Sequence, residues 1–169
     1  MHHETFMRLA LQQAQQALAS NEFPVGAVIV AGNEPVAMGR RANSQSETAN
    51  ELDHAEIVAL RDLLAHRPDI ERQSLTIYST MEPCLMCYST LLLNGIRNFV
   101  YAYEDAMGGG TGLQLMGLTP LYQAMESEIC ILPNILRQES LTLFKAFFTS
   151  PENNYWQGSL LAEYTLAQP

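Results

Sequence analysis

A layered α/β domain is the fold class this sequence predicts, on three observations. The chain has 169 residues, a length that suits one packed core. Apolar residues make up 47 % and charged residues 16 %, with no low-complexity tract, which is the composition of a globular protein rather than a disordered or fibrous one. Extended apolar runs alternate with stretches of helical period, and that alternation builds a sheet covered on both faces. Two large domains are excluded, and no linker or internal repeat interrupts the pattern. The chain therefore reads as one domain over 1–169, closing in a C-terminal helical tail from about 136 to 169.

Each element has its own signal. Phe6, Leu9, Ala10, Ala14, Ala17 and Leu18 recur at helical spacing among glutamines, giving an amphipathic helix that ends near Ser20-Asn21, with Pro24 beyond it. Val25 to Ala31 is β-branched and apolar, Gly32-Asn33 marks a turn, and Val36 to Arg40 is again extended, so a hairpin follows. Asn43 to Leu52 is polar and reads as a loop. From Asp53, Ile57, Leu60 and Leu64 line one side of a second helix that Pro68 closes. Leu75 to Ser79 is a short strand. Pro83 suits the first turn of a third helix, with Leu85, Tyr88, Leu92 and Leu93 on its buried side and Gly95 at its end. Arg97 to Tyr103 is a strand, Gly108-Gly109-Gly110 with Gly112 a mobile loop, Glu128 to Leu132 a strand and Ile135 to Phe148 a helix. The end, around Tyr155-Trp156 and Leu160 to Tyr164, reads as one more helix.

Charge and cysteine usage narrow the function classes. The formal net charge is −9, and Lys145 is the one lysine among nine basic residues. Tight binding of nucleic acid needs clustered Lys and Arg, and the single adjacent pair is Arg40-Arg41, so small neutral substrates are favoured over a polyanion. No stretch reaches the ~18–20 apolar residues of a membrane span, and the glutamine-rich start lacks the apolar core of a signal peptide, which points to the cytoplasm. There Cys84 and Cys87, spaced C-x-x-C, read as metal or redox chemistry rather than a disulfide framework. His2-His3 is given no role.

The chemistry concentrates in Asp53-His54-Ala55-Glu56 and Glu82-Pro83-Cys84-Leu85-Met86-Cys87. Imidazole nitrogen and thiolate sulfur suit Zn²⁺, and three protein ligands leave a fourth position open, the arrangement of a catalytic rather than a structural zinc. His54, Cys84 and Cys87 supply those three. Cysteines in the first turn of a helix face free N–H groups and the positive dipole end, which favours their thiolates. Glu56, two residues beyond His54, can reach over the metal without binding it and so shuttle protons.

Plainer readings stand beside these. Asp53-x-x-Glu56 also fits a capping box. C-x-x-C alone is equally a redox pair, but that reading gives no role to the His-Ala-Glu segment. Cys130 reads as buried packing in its strand. His66 reads as a partner of the helix C-terminus rather than a fourth ligand.

The ordered conjunction of H-x-E, an intervening strand and P-C-x-x-C is the signature of zinc nucleobase deaminases. At these residues the sequence resembles the cytidine deaminase-like superfamily, in the branch of bacterial tRNA adenosine deaminases and small guanine deaminases. The resemblance covers about residues 6–118, including Phe23-Pro24-Val25-Gly26-Ala27-Val28, Ala42-Asn43, and Asp105 with Gly108 to Gly112. It implies a three-layer α/β/α fold on a mixed five-stranded sheet, a homodimer, a substrate contact from the Asn43 side chain and another from the Ala55 backbone. A turn-forming role for Asn43 stands beside that contact.

The family resemblance further implies hydrolytic removal of an exocyclic amine as ammonia, with Zn²⁺ as cofactor and Glu56 as the proton shuttle. Where tRNA enzymes usually carry D-P-T-A this chain has Glu51-Leu52-Asp53. Met107 stands where lysine is typical, and Pro151 to Pro169 holds no Lys or Arg. These departures favour a free base, nucleoside or related aminated heterocycle over wobble adenosine in tRNA, which stays the alternative. Tyr155, Trp156 and Tyr164 either stack over the pocket or pack in the core or a dimer. A rival of another class is a non-catalytic, zinc-stabilised binding module, which needs a fourth protein ligand.

Overall fold

The structure, a computed structural model, describes residues 3–45 and 49–169; His2 and positions 46–48 of the expected loop lie outside the described residues. Strands Gly26–Ala31 (β1), Glu34–Arg40 (β2), Leu75–Met81 (β3), Asn98–Tyr103 (β4) and Cys130–Leu132 (β5) form one sheet in the order β2-β1-β3-β4-β5. β1 pairs antiparallel with β2 and β3, whereas β3 with β4 and β4 with β5 are parallel, so the sheet is mixed and five-stranded as expected. The helices are His3–Ala19 (α1), Ala55–His66 (α2), Leu85–Leu93 (α3), Pro120–Gln123 (α4), Arg137–Thr149 (α5) and Leu160–Ala167 (α6).

Alternation along the strands divides the core into two. Val28 and Val30 of β1 pack with Phe6, Met7, Ala10 and Leu11 of α1. Their neighbours Ala27 and Ile29 face Ala55, Ala59, Leu60 and Leu63 of α2 and Tyr88, Leu91 and Leu92 of α3. Helices thus cover both faces of the sheet, giving three layers. Truncating Leu63, which is fully buried, would remove its contacts and leave a cavity, a loss of about 2–5 kcal/mol.

Two features of this packing position the site. At Gly39 of β2 a Cβ would lie 2.2 Å from the Ala55 carbonyl oxygen and 2.5 Å from the Ala59 nitrogen, so a glycine lets α2 sit directly on the strand. α3 follows β3 directly, which puts its N-terminus at the strand's carboxyl end, the edge where open α/β sheets take ligands.

The differences from the sequence reading lie at element ends. α2 starts at Ala55 and α3 at Leu85, so Pro83 precedes the helix instead of opening it, and its carbonyl accepts from Gly110 N–H at 2.9 Å. β5 is cut to three residues because Glu126–Glu128 forms a 3₁₀ turn, and Cys130, expected to be buried, is exposed on this edge strand. The glycine-rich segment, expected to be mobile, is hydrogen-bonded against the start of α3. A Cβ at Gly110 would meet the Leu85 nitrogen at 2.6 Å.

Candidate active site

Both helix starts carry an unusual cap. The N-cap of α2 is His54 and that of α3 is Cys84, and neither side chain accepts the capping hydrogen bond that Ser, Asp or Asn would take there. Those side chains turn to each other instead. His54 Nδ1 lies 3.5 Å from both Cys84 Sγ and Cys87 Sγ. The three donor atoms all fall within 4.8 Å of one another, among the described residues the one such cluster of His, Cys and acidic ligands. Edges of this length fit a tetrahedral ion with bonds of roughly 2.0–2.3 Å.

The site's electrostatics favour a cation. Hydrogen bonding from Cys87 pushes the Cys84 thiol down to about 4 against the opposing pull of burial, with His54 helping. The same shared proton, with burial, pushes the Cys87 thiol up. Burial pulls His54 down, but the bond to Cys84 and the charges of Glu56 and Cys84 outweigh it and raise the imidazole to about 9. Protons therefore occupy a pocket that prefers positive charge, and a divalent ion would displace them.

Glu56 stands beside this cluster and is 3 % exposed. Ser79 of β3 donates to its Oε1 at 3.0 Å, and its Oε2 is 3.6 Å from Cys87 Sγ. Burial raises its pKa. The capping-box reading of Asp53 and Glu56 is not what forms: the Asp53 carboxylate accepts from Asn43, Asn50 and Arg61 instead.

A pocket of about 140 Å³ opens over the cluster, floored by His54, Ala55, Glu56 and Cys84 and walled by Phe23, Met81, Glu82, Asp105, Tyr155 and Trp156 among others. Ala55 is the first residue of α2, where a backbone N–H has no partner within the helix. The remaining wall is a polar link. Glu51 Oε2 accepts from the Tyr155 hydroxyl at 2.7 Å, from Arg41 Nη2 at 3.3 Å and from His54 Nε2 at 3.2 Å. Donation from Nε2 fixes the imidazole tautomer that leaves Nδ1 facing the sulfurs.

Residues 1–103 match the family described as the cytidine and deoxycytidylate deaminase zinc-binding region. The chain belongs to this deaminase family. A tRNA-specific adenosine deaminase of Rickettsia bellii is 31 % identical over 147 residues, covering 84 % of this chain and 97 % of that one. The tRNA-specific adenosine deaminase subunit tad2 of Schizosaccharomyces pombe is 30 % identical over 146 residues, and there the chain spans 37 % of the relative's length. For tRNA-specific adenosine deaminase 2 of Xenopus laevis the identity is 36 %, over 64 % of this chain and 65 % of the relative. Among solved structures, one from a study of A-to-I editing by tRNA:A34 deaminases superposes with a TM-score of 0.65 at 25 % identity, covering 82 % of this chain and 98 % of that one. A guanine deaminase from Nitrosomonas europaea shares the fold, with a TM-score of 0.67 at 20 % identity over 85 % of this chain and 83 % of that one. The matched region is a zinc-binding deaminase region, and the His54, Cys84 and Cys87 donors form a cluster suited to zinc.

Within this deaminase fold the expected residues His54, Cys84, Cys87, Glu56 and Ala55 come together, and Asn43 does not. Its amide donates to Asp53 Oδ2 at 2.8 Å, its φ of 56° is left-handed, and it is not among the residues lining the pocket. That placement accounts for a turn-forming role, while the expected substrate contact stays a proposal. His66 Nδ1 bonds the Asp62 carbonyl in the last turn of α2, away from the cluster. Of the three tail aromatics, Tyr155 and Trp156 line the pocket, whereas Tyr164 donates to Glu104 at 2.7 Å. Sequence reasoning missed Ser79, Arg41, Glu51 as the His54 partner, and Glu82. The Glu82 carboxylate takes Thr111 N–H at 3.2 Å and Asp105 N–H at 3.2 Å, fixing the glycine segment beside the pocket. Only Glu82 had a signal, its place beside Pro83-Cys84.

Proposed function

We propose that this chain is a zinc-dependent hydrolytic deaminase of a free base, nucleoside or related aminated heterocycle. The observation that carries it is a three-ligand cluster, not a four-ligand one, with the buried Glu56 carboxylate against it and a pocket above. Neither Cys130 nor His66 joins the cluster, which counts against the binding-module reading among the described residues. Zinc held by His54, Cys84 and Cys87 supplies Lewis acidity that lowers the pKa of a water from 15.7 to about 7.

The chain's own residues supply the rest. Ser79 holds Glu56 Oε1, and Oε2, which accepts from the Cys87 thiol at 3.6 Å, is the oxygen that would take the proton from the attacking water once metal binding removes that thiol proton. The raised pKa lets Glu56 keep that proton until the ring nitrogen accepts it. A second proton passes through the same oxygen to the leaving amine, so water and the amine-bearing carbon become a carbonyl and ammonia. The Ala55 N–H at the start of α2 is placed to donate to the substrate's edge, and Phe23, Tyr155 and Trp156 offer faces on which a ring stacks.

The substrate preference is supported by the charge around the opening. Glu51, Glu82 and Asp105 line it, and the tail over it carries no Lys or Arg between residues 151 and 169. The relatives' names favour the alternative, wobble-adenosine deamination in tRNA. An ammonia-release screen over free bases, nucleosides and nucleotides tests the main reading; affinity for an anticodon stem-loop that falls steeply with salt would favour the alternative.

Assembly as a homodimer belongs to the same reading. Leu85 and Leu93, expected on the buried side of α3 with Tyr88 and Leu92, are instead each more than half exposed, as are Met116 and Leu121 further on. Light scattering on the purified chain measures it. The working compartment is the cytoplasm, whose reducing poise keeps Cys84 and Cys87 available as thiols; among the described residues no helix is long and apolar enough to cross a membrane.

A further inference from the structure

Arg41 is the one buried charge in the pocket wall that the reaction above does not use. It is 2 % exposed, yet it lines the cavity. Its guanidinium is held at both terminal nitrogens: Nη1 donates to the Ala42 carbonyl at 2.7 Å, Nη2 to the Asn50 carbonyl at 2.7 Å and to Glu51 at 3.3 Å. The group lies over the Tyr155 ring, with Cζ 5.5 Å from its centroid. Its Nε is buried with no hydrogen-bond partner among the described residues. A buried donor without an acceptor costs free energy that a ligand acceptor recovers, and a group already fixed by three bonds and a ring loses little freedom in meeting one. The two other buried side-chain atoms in this condition, on Arg72 and Glu126, do not line this pocket.

What Arg41 takes is set by what already neutralises it. Glu51 compensates its charge, and Glu82 and Asp105 stand at the same wall, so a phosphate would gain little at Nε while facing three carboxylates. A neutral oxygen on the ring itself carries no such penalty. Resting on the deaminase reading, we infer that Arg41 determines specificity by donating from Nε to a ring carbonyl. The substrate is then an oxo-bearing aminated heterocycle, one in which the amine to be removed and a carbonyl that stays sit on the same ring. A ring with an amine at the carbonyl's place presents a donor to a donor and is rejected.

Matched pairs test this. Guanine and 2,6-diaminopurine differ in a carbonyl replaced by an amine, with the adjoining ring nitrogen losing its proton, as do cytosine and 2,4-diaminopyrimidine; the Arg41→Met arm isolates the carbonyl's share. Equilibrium binding of all four is measured on zinc-loaded Glu56→Gln protein, to prevent turnover, with and without Arg41→Met. In at least one pair the oxo ring should bind at least 10-fold more tightly than its amino partner, and Arg41→Met should shrink that preference to within about 3-fold. The inference is overturned by equal or reversed preference in both pairs, by a preference that survives Arg41→Met, by no binding of any of the four, or by a 5′-monophosphate that adds 10-fold affinity through Arg41. Should Arg41→Met fail to fold, Arg41→Lys, which keeps the charge but has no N–H at the Nε position, takes its place with the same loss of preference expected. Ammonia release is scored separately on the unsubstituted enzyme. Release without an oxo preference removes Arg41 and leaves the deaminase; an oxo preference without release from any aminated ring does the reverse.

Discussion

The floor and the lid of one pocket are built in opposite ways. The floor draws His54, Ala55 and Glu56 from one helix start and Cys84 from another, backed by Cys87 of that second helix and Ser79 of the strand between, all within 34 positions and all fixed by helix starts and sheet register. The lid draws Arg41 and Glu51 from the loop between β2 and α2, and Tyr155 and Trp156 from a turn more than 100 positions later. Rigid elements hold the chemistry, and loops meeting through side chains hold the substrate wall. That division lets ring selectivity change without disturbing the metal ligands.

The largest effects should come from the floor, and there two substitutions should separate cleanly. Glu56→Gln is expected to lower kcat by about 100- to 10,000-fold while zinc content, measured by elemental analysis, stays stoichiometric. Near-normal turnover would end the proton-shuttle assignment. Cys87→Ala is expected to lose both activity and metal, with a lower Tm, and a chelator should reproduce that Tm on the unsubstituted protein with zinc reversing it. If Cys87→Ala keeps its zinc, the floor is not the metal site.

Glu51 joins the two halves, since its Oε2 serves His54 on one side and Tyr155 and Arg41 on the other. Glu51→Gln should weaken zinc binding about 10- to 100-fold, the usual consequence of losing the carboxylate behind a ligating histidine, read by competition with a fluorescent chelator. Unchanged zinc affinity would confine Glu51 to the lid. For Tyr155→Phe, which removes a single hydroxyl bond to that carboxylate, the expectation is smaller: KM up about 3- to 10-fold with zinc affinity nearly intact.

The same division explains what could be read from the sequence. Strand and helix order was legible because β-branched apolar runs bounded by turn residues differ from stretches of period 3.6, whereas the division of Val28 and Val30 from Ala27 and Ile29 between two faces was not, since all four are apolar and buried. His54, Glu56, Cys84 and Cys87 were legible because short spacings on helix starts force them together. Arg41 and Glu51 were not, since an arginine and a glutamate in a polar loop have the composition of any solvated surface. Their meaning comes from Tyr155, about a hundred positions away. Asn43 stayed ambiguous for a related reason: the family contact and a turn use the same residue type, and here its amide is engaged by the Asp53 carboxylate. Cys130 failed because the pattern of β5 does not say that, among the described residues, no strand pairs with its outer side.

The smallest effect expected lies in what anchors the lid. Glu104, just past β4, accepts from Arg137 Nε at 2.8 Å and Nη2 at 2.5 Å, and from Tyr164 at 2.7 Å, so one carboxylate ties α5 and α6 to the sheet. The Arg137 bonds hold its pKa down to about 2 from the ordinary 4.5. A carboxyl depressed in the folded state stabilises it fully above the unfolded pKa, and that contribution fades as pH falls from about 4.5 toward 2. Because the group is partly exposed, solvent screens the pair and the gain is modest. In urea titrations the unsubstituted chain should therefore exceed Glu104→Gln by a small margin at pH 6 that closes as pH approaches 2. Trp156 is the only tryptophan in the chain, so its emission reports the lid directly. A margin that stayed constant with pH would mean that packing, rather than the charge on Glu104, secures the tail over the pocket.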